Sequence, residues 1–227
     1  MYILNTNLID TMKKLFLLVV LLISMGTGIW AQFPKAIFPG DYPDPSILRD
    51  GKDYYMTHSP FYYAPGFLIW HSTDLLHWEP VCRALPEYEG SAMAPDLLKY
   101  QGRYYIYYPT STGENYVIYA DNIRGPWSKP VKLDVRGIDP GHVVGEDGKR
   151  YLFTNNGWIT PLSDDGLKVT GKSRKVYDGW EYPANWVTEG KDMYLESPKL
   201  LYKDGYYYMM SAEGGTAGPA TSHMCVV

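Results

Sequence analysis

The sequence predicts an all-β protein, a propeller in which one four-stranded blade recurs around a central axis. Three observations carry that prediction. One motif returns four times along the chain, its strands are rich in tyrosine, and no long stretch after Ala31 has the 3.6-residue periodicity of an amphipathic helix. Each occurrence reads as a β-hairpin. Asp44 opens DPSILRDGKDYYM, Pro95 opens PDLLKYQGRYYIYY, Asp139 opens DPGHVVGEDGKRYLF and Glu196 opens ESPKLLYKDGYYYMM. In each, a short apolar strand leads to a turn at Gly51, Gly102, Gly148 or Gly205, where glycine supplies the positive φ of a tight hairpin. A tyrosine-rich strand follows, with the aromatic bias of sheet residues. Successive motifs begin roughly 45 to 60 residues apart, the length of a blade of about four strands. Phe67 to His71 and Tyr116 to Tyr119 supply further strands, and Asn122 to Pro126 a turn.

Composition narrows the function. A formal net charge of −4 over 227 residues leaves no basic footprint, which argues against nucleic acid and anionic membrane as partners. The 22 tyrosines and 7 tryptophans suit half-buried sheet surfaces and also the flat faces of sugar rings. Two cysteines, Cys82 and Cys225, exclude a disulfide framework and a Cys-built zinc site, and are expected as free thiols.

The N-terminus carries an address. Met12 to Ala31 reads MKKLFLLVVLLISMGTGIWA: two lysines, an apolar run from Leu15 to Met25, then small residues ending in alanine. This is a secretory-signal pattern, and the apolar run is short for a bilayer span. The expected division is an extension and signal peptide over 1–31 and an incomplete propeller over 32–227. The product is expected to be exported, periplasmic or secreted, with no stable membrane insertion after cleavage. The alternative is an uncleaved anchor.

Acidic residues recur at the repeats. Asp44, Asp96, Asp139 and Glu196 are all read as preceding the first strand of a hairpin, at equivalent positions. In a propeller the inner strands surround the axis, so equivalent residues converge at one end of it. A single Asp-Pro is an ordinary turn starter, whereas a series points to a site.

On these residues the chain resembles glycoside hydrolase family 43, which holds β-xylosidases, α-L-arabinofuranosidases and arabinanases. The resemblance runs from about Phe38 to the C-terminus. It rests on PGDYPDPSILRDGKDYY (39–55), SPFYYAPGFLIWHSTDLLHW (59–78), APDLLKYQGRYYIYY (94–108), IDPGHVVGEDGKRYLF (138–153) and ESPKLLYKDGYYYMMSAEGGT (196–216). It implies a five-bladed propeller. At this blade length a closed ring needs about 280 residues, so about four blades are expected here and the fifth is missing.

The resemblance also implies roles. Asp44 matches the general base that activates water, Glu196 the general acid, and Asp139 a third carboxylate that orients the acid and keeps its pKa high. The family inverts anomeric configuration in one step. Inversion needs one carboxylate ionised and one protonated, with room for water between them, about 6.5–9.5 Å. A nearby negative charge raises a carboxyl's pKa, which makes three acids a sensible count. Phe61 and His223 match residues at the sugar pocket. Met93 stands where many relatives have a pocket tryptophan, and Ser197 where many have glycine. Trp70, Trp78 and Trp186 read as packing. The expected enzyme is exo-acting and removes xylose or arabinose from plant polysaccharide or oligosaccharide. An endo-arabinanase, an exo-galactanase and a non-catalytic sugar-binding propeller are the alternatives. No cofactor is required by this chemistry, and a structural Ca²⁺ in the axis, as some relatives hold, stays open.

Overall fold

A computed structural model describes residues 36–88, 90–181, 185, 195–214 and 224–226, the last three by their backbone. The predicted signal segment, Trp186 and His223 lie outside these residues. Among the described residues no helix is long and apolar enough to cross a membrane. The chain divides into two compact units, Met1–Pro39 and Gly40–Val227, and the strands among the described residues all lie in the second.

That second unit consists of four antiparallel sheets in chain order. Blade one is β1 (Ser46–Asp50), β2 (Asp53–Thr57), β3 (Gly66–Ser72) and β4 (Glu79–Leu85). Blade two is β5 (Asp96–Tyr100), β6 (Arg103–Pro109), β7 (Glu114–Ala120) and β8 (Val131–Arg136). Blade three is β9 (Gly141–Val144), β10 (Arg150–Thr154), β11 (Trp158–Pro161) and β12 (Arg174–Lys175). Blade four has three described strands, β13 (Glu196–Lys203), β14 (Tyr206–Glu213) and β15 (Met224–Val226). The first strands of successive blades, β1, β5, β9 and β13, pack side by side as the inner wall.

Turn chemistry sets the hairpins. Tyr100 pairs with Arg103 and Lys203 with Tyr206, which leaves two-residue loops, Gln101-Gly102 and Asp204-Gly205. All four loop residues have positive φ, the turn whose twist matches that of the strands. Blade three departs from this. Val144 pairs with Arg150, so its loop runs from Gly145 to Lys149.

The core lies between blades. In β6, Tyr104, Ile106 and Tyr108 join Phe67, Ile69 and Ala84 of blade one. The alternate residues, Tyr105 and Tyr107, join Leu152 and Leu162 of blade three. The two-residue period thus buries both faces of one strand, which is why it reads as an unbroken apolar and aromatic run.

The structure corrects the equivalence of the four acids. In register, the residues before each first proline match: Asp44, Ala94, Asp139 and Ser197, with φ of 53°, 40°, 55° and 52°. Asp96 lies two residues further on and matches Ser46, Gly141 and Lys199. Glu196 lies one residue earlier and matches Met93. In blade four the offset comes from Ser197, which stands between Glu196 and Pro198, and β13 carries a bulge between Glu196 and Lys199.

Candidate active site

The four pre-proline residues, Asp44, Ala94, Asp139 and Ser197, line one cavity of about 220 Å³ where the blades meet. Lys199 and the β14 segment Met210 to Ala212 complete its wall. A left-handed backbone on a non-glycine residue costs about 1–3 kcal/mol. Its repetition at four matching positions marks it as a built feature of this end of the propeller.

Blade one delivers Asp44, which is exposed to solvent, ahead of β1. Its Oδ2 accepts a short hydrogen bond from the Ser59 hydroxyl. That hydroxyl accepts in turn from the Ala94 N–H at 2.6 Å. Blade three delivers Asp139, which is 9% exposed. Burial pushes the Asp139 carboxyl above the usual aspartate range, and the negative charge of Asp44 adds to the rise. The Ser197 N–H works against both, donating to Asp139 Oδ2 at 3.0 Å. Glu196 is half-buried at the start of β13, opposite Ala212 of the cavity wall. Asp139 therefore grips the backbone unit that joins Glu196 to Ser197.

Close packing of blades three and four holds this arrangement. A Cβ on Gly141 would lie 1.8 Å from the Pro198 carbonyl oxygen, so only glycine lets β13 approach there.

The predicted sugar-binding residues separate. Phe61 lines a neighbouring cavity of about 380 Å³ with Tyr42, His58, Tyr63 and Trp70. Trp70 stands edge-on to Tyr42 there, with ring centroids 5.8 Å apart. Met93 is half-buried, lines neither cavity, and donates its N–H to the Pro109 carbonyl at 3.0 Å. Trp78 packs locally, its indole N–H donating to Leu75 O at 3.0 Å. Cys82 is a free thiol, as its sequence context suggested.

Sequence reasoning missed Ser59, Ser197 and Lys199 as members of this region. Ser59 shares the β2–β3 connection with Phe61, and that shared connection is its only sequence signal. Lys199 bears on the question of calcium. Its ammonium donates to Asp96 Oδ1 at 3.0 Å, Pro140 O at 3.1 Å and Pro95 O at 3.4 Å. A calcium ion needs such oxygens for itself. Here they already surround a cation, so this cluster of described residues does not fit the ion. Among the described residues no group of three or more His, Cys, Asp or Glu is arranged to hold a metal.

Comparison with known proteins agrees with this architecture. Residues 33–226 match the family model for glycosyl hydrolases family 43. A xylosidase/arabinosidase of Butyrivibrio fibrisolvens is 34% identical over 207 residues, covering 80% of this chain and 38% of the relative. A xylan 1,3-β-xylosidase of a Vibrio species is 36% identical over 211 residues, covering 79% and 38%. The crystal structure of the GH43 BlXynB protein from Bacillus licheniformis superposes with a TM-score of 0.71 at 33% identity, covering 84% of this chain and 40% of that one. The chain thus spans about 38% of the length of the curated relatives it matches. The structural neighbours are five-bladed propellers, and the described residues supply four of the blades. With its family model matched across nearly all of the propeller unit, the chain belongs to glycosyl hydrolase family 43.

Proposed function

We propose that this polypeptide is part of an exported, inverting glycoside hydrolase that removes single xylose or arabinose residues from plant cell-wall polysaccharide or oligosaccharide. The observation that carries the reading is the meeting of Asp44 and Asp139 on one cavity wall, with Asp139 bonded to the residue that follows Glu196. Asp44 takes a proton from a water molecule, whose oxygen attacks the anomeric carbon. The glycosidic C–O bond breaks in the same step, and Glu196 gives its proton to the leaving oxygen. Attack opposite the leaving group inverts the configuration. Asp139 serves the acid by holding the Ser197 N–H and by its charge.

Exo action is supported by the names of relatives that act as xylosidases. Phe61 and its aromatic neighbours offer a contact surface for the substrate beside the cavity. His223 keeps its place in the proposal on the family resemblance alone. The names of the two relatives support xylose and arabinose as the sugars.

The test is hydrolysis of nitrophenyl β-xyloside and nitrophenyl α-L-arabinofuranoside, with the first-formed anomer followed by NMR. Cleavage with inversion is expected, falling by at least about 10²-fold in Asp44→Ala. Nitrophenolate leaves with little proton help, so Glu196→Ala is expected to lose less on these substrates than on an oligosaccharide. A product of retained configuration, or an Asp44→Ala variant as active as the parent, defeats the proposal.

A further inference from the structure

We infer that Ser59 is the positioning residue for the base, a role that rests on the reading of Asp44 given above. Ser59 lies between β2 and β3 and is 4% exposed. Three contacts fix it. Its own N–H donates to the Pro43 carbonyl at 2.9 Å, which ties it to the residue before Asp44. Its hydroxyl oxygen accepts the Ala94 N–H at 2.6 Å. Its hydroxyl hydrogen goes to Asp44 Oδ2.

The direction of that last bond follows from counting hydrogens. A serine hydroxyl has one hydrogen to give. The Ala94 N–H can only donate, so it takes a lone pair of the hydroxyl and leaves the hydrogen for Asp44. An Asp44 protonated on Oδ2 would itself become a donor to Ser59. The hydroxyl hydrogen would then be left without an acceptor in a buried place, which is costly. Ser59 therefore occupies Oδ2 by donating to it and leaves Oδ1 as the oxygen that meets water.

Ser59 also links blades. Its partners are Pro43 and Asp44 of blade one's entry and Ala94 of blade two's entry, the last two being pre-proline residues of the cavity wall. An exposed carboxylate has several rotamers, and one bond from a buried, doubly anchored hydroxyl selects among them. A catalytic group displaced by about 1 Å can cost 10²-fold in rate. Asp139, Ser197 and Lys199 share the cavity with Asp44, and none of them has a hydrogen bond to it among the described contacts. The orienting role falls to Ser59.

The experiment is a double-mutant cycle on the full chain: parent, Ser59→Ala, Asp44→Ala and the double variant, assayed on the two nitrophenyl glycosides. Ser59→Ala is expected to lower kcat about 10- to 100-fold with KM little changed. In the Asp44→Ala background the same substitution is expected to have no further effect, because its only route to the reaction is gone. A full additional loss in the double variant assigns Ser59 a general structural role and overturns the inference. An unimpaired Ser59→Ala beside a dead Asp44→Ala overturns it too, while leaving the base assignment intact. An active Asp44→Ala overturns the base assignment itself. If turnover is too slow to follow in the parent, denaturant unfolding of the same four proteins reads the contact directly. Non-additive midpoint shifts support it, and additive shifts overturn it.

Discussion

Strands β6 and β14 are matching tyrosine-bearing strands of the repeat, Arg103-Tyr-Tyr-Ile-Tyr-Tyr and Tyr206-Tyr-Tyr-Met-Met-Ser, and meet opposite environments. Their pairing partners align them: Tyr104 matches Tyr207, Tyr105 matches Tyr208 and Tyr107 matches Met210. Tyr105 and Tyr107 are 4% and 0% exposed, whereas Tyr208 and Met210 are 43% and 49% exposed. The residues of β6 that point to the next blade find blade three; those of β14 find no further blade among the described residues. On β1 the mirror condition holds: Ile47 is exposed where its match in blade two, Leu97, is buried. The lesson is that the motif encodes a strand with two apolar faces and leaves burial to the neighbour. Local sequence sets the hairpin, and ring position sets what it contributes to stability.

The largest expected contrast follows directly. Tyr105→Ala removes a ring that stacks on Tyr107 and lies 4.4 Å from the buried Arg150 guanidinium. Emptying such a site costs about 3–5 kcal/mol. Tyr208→Ala, at the matching position, is expected to cost under about 1 kcal/mol, as at an ordinary surface position. Urea midpoints of the two variants measure this. Equal losses would mean that the outer face of blade four is covered in solution.

The blade order, the hairpins and the inner strands were all legible in the sequence, because proline, glycine and two-residue alternation are local signals. Asp44 and Asp139 were legible for the same reason: each precedes the proline that fixes its register. Asp96 and Glu196 looked equivalent to them because each stands close to a proline, but Asp96 follows Pro95 and Glu196 is separated from Pro198 by Ser197. Ser59 was not legible, since its value depends on a carboxylate fifteen residues away and an N–H in another blade. Met93 was expected at the pocket and stands off both cavity walls, its backbone turned to Pro109 instead.

Acid should strike the buried interface and spare the exposed one. Between blades two and three, His142 stacks flat on Tyr107 at 5.7 Å and accepts from Arg150 Nε at 2.9 Å. Burial, and then the Arg150 charge, push the His142 pKa down to about 4 from 6.5. The unfolded chain therefore binds a proton near pH 6.5 that the folded chain refuses until about pH 4. The stability associated with neutral His142 is complete above pH 6.5 and is lost as pH falls toward 4, in all about 3 kcal/mol. His142→Gln keeps an acceptor for Arg150 without titrating. Stability measured from pH 7 to 4 should fall less steeply in that variant, and parallel slopes would reject the assignment.

A smaller contrast lies in the tyrosines that face the preceding blade. The Tyr104 hydroxyl donates to Asp50 Oδ2 at 2.6 Å, and the Tyr207 hydroxyl to the Val144 carbonyl at 2.9 Å. Both bonds close the seam to the blade before. Only the first involves a charged acceptor, one shared with Lys99 at 2.7 Å. Tyr104→Phe is expected to cost about 1–2 kcal/mol and Tyr207→Phe about 0.5 kcal/mol or less. Thermal unfolding of the pair tests the order, and a larger loss for Tyr207→Phe would reverse it.

The last contrast is between matching residues that touch. The position that is Asp96 in blade two is Lys199 in blade four, and their side chains meet as an ion pair at 3.0 Å. Opposite charges at one repeat position let two blades hold each other across the inner wall. The carbonyls of Pro95 and Pro140 complete the ammonium's surroundings, so blades two, three and four are joined by one built-in cation. A divalent ion could take those oxygens only after displacing the ammonium, which would leave Lys199 without its carboxylate. The expected effect of a chelator on the melting temperature is therefore nil, before and after dialysis against calcium. A melting temperature that drops with the chelator and returns with calcium would show that an ion, rather than Lys199, ties these blades together.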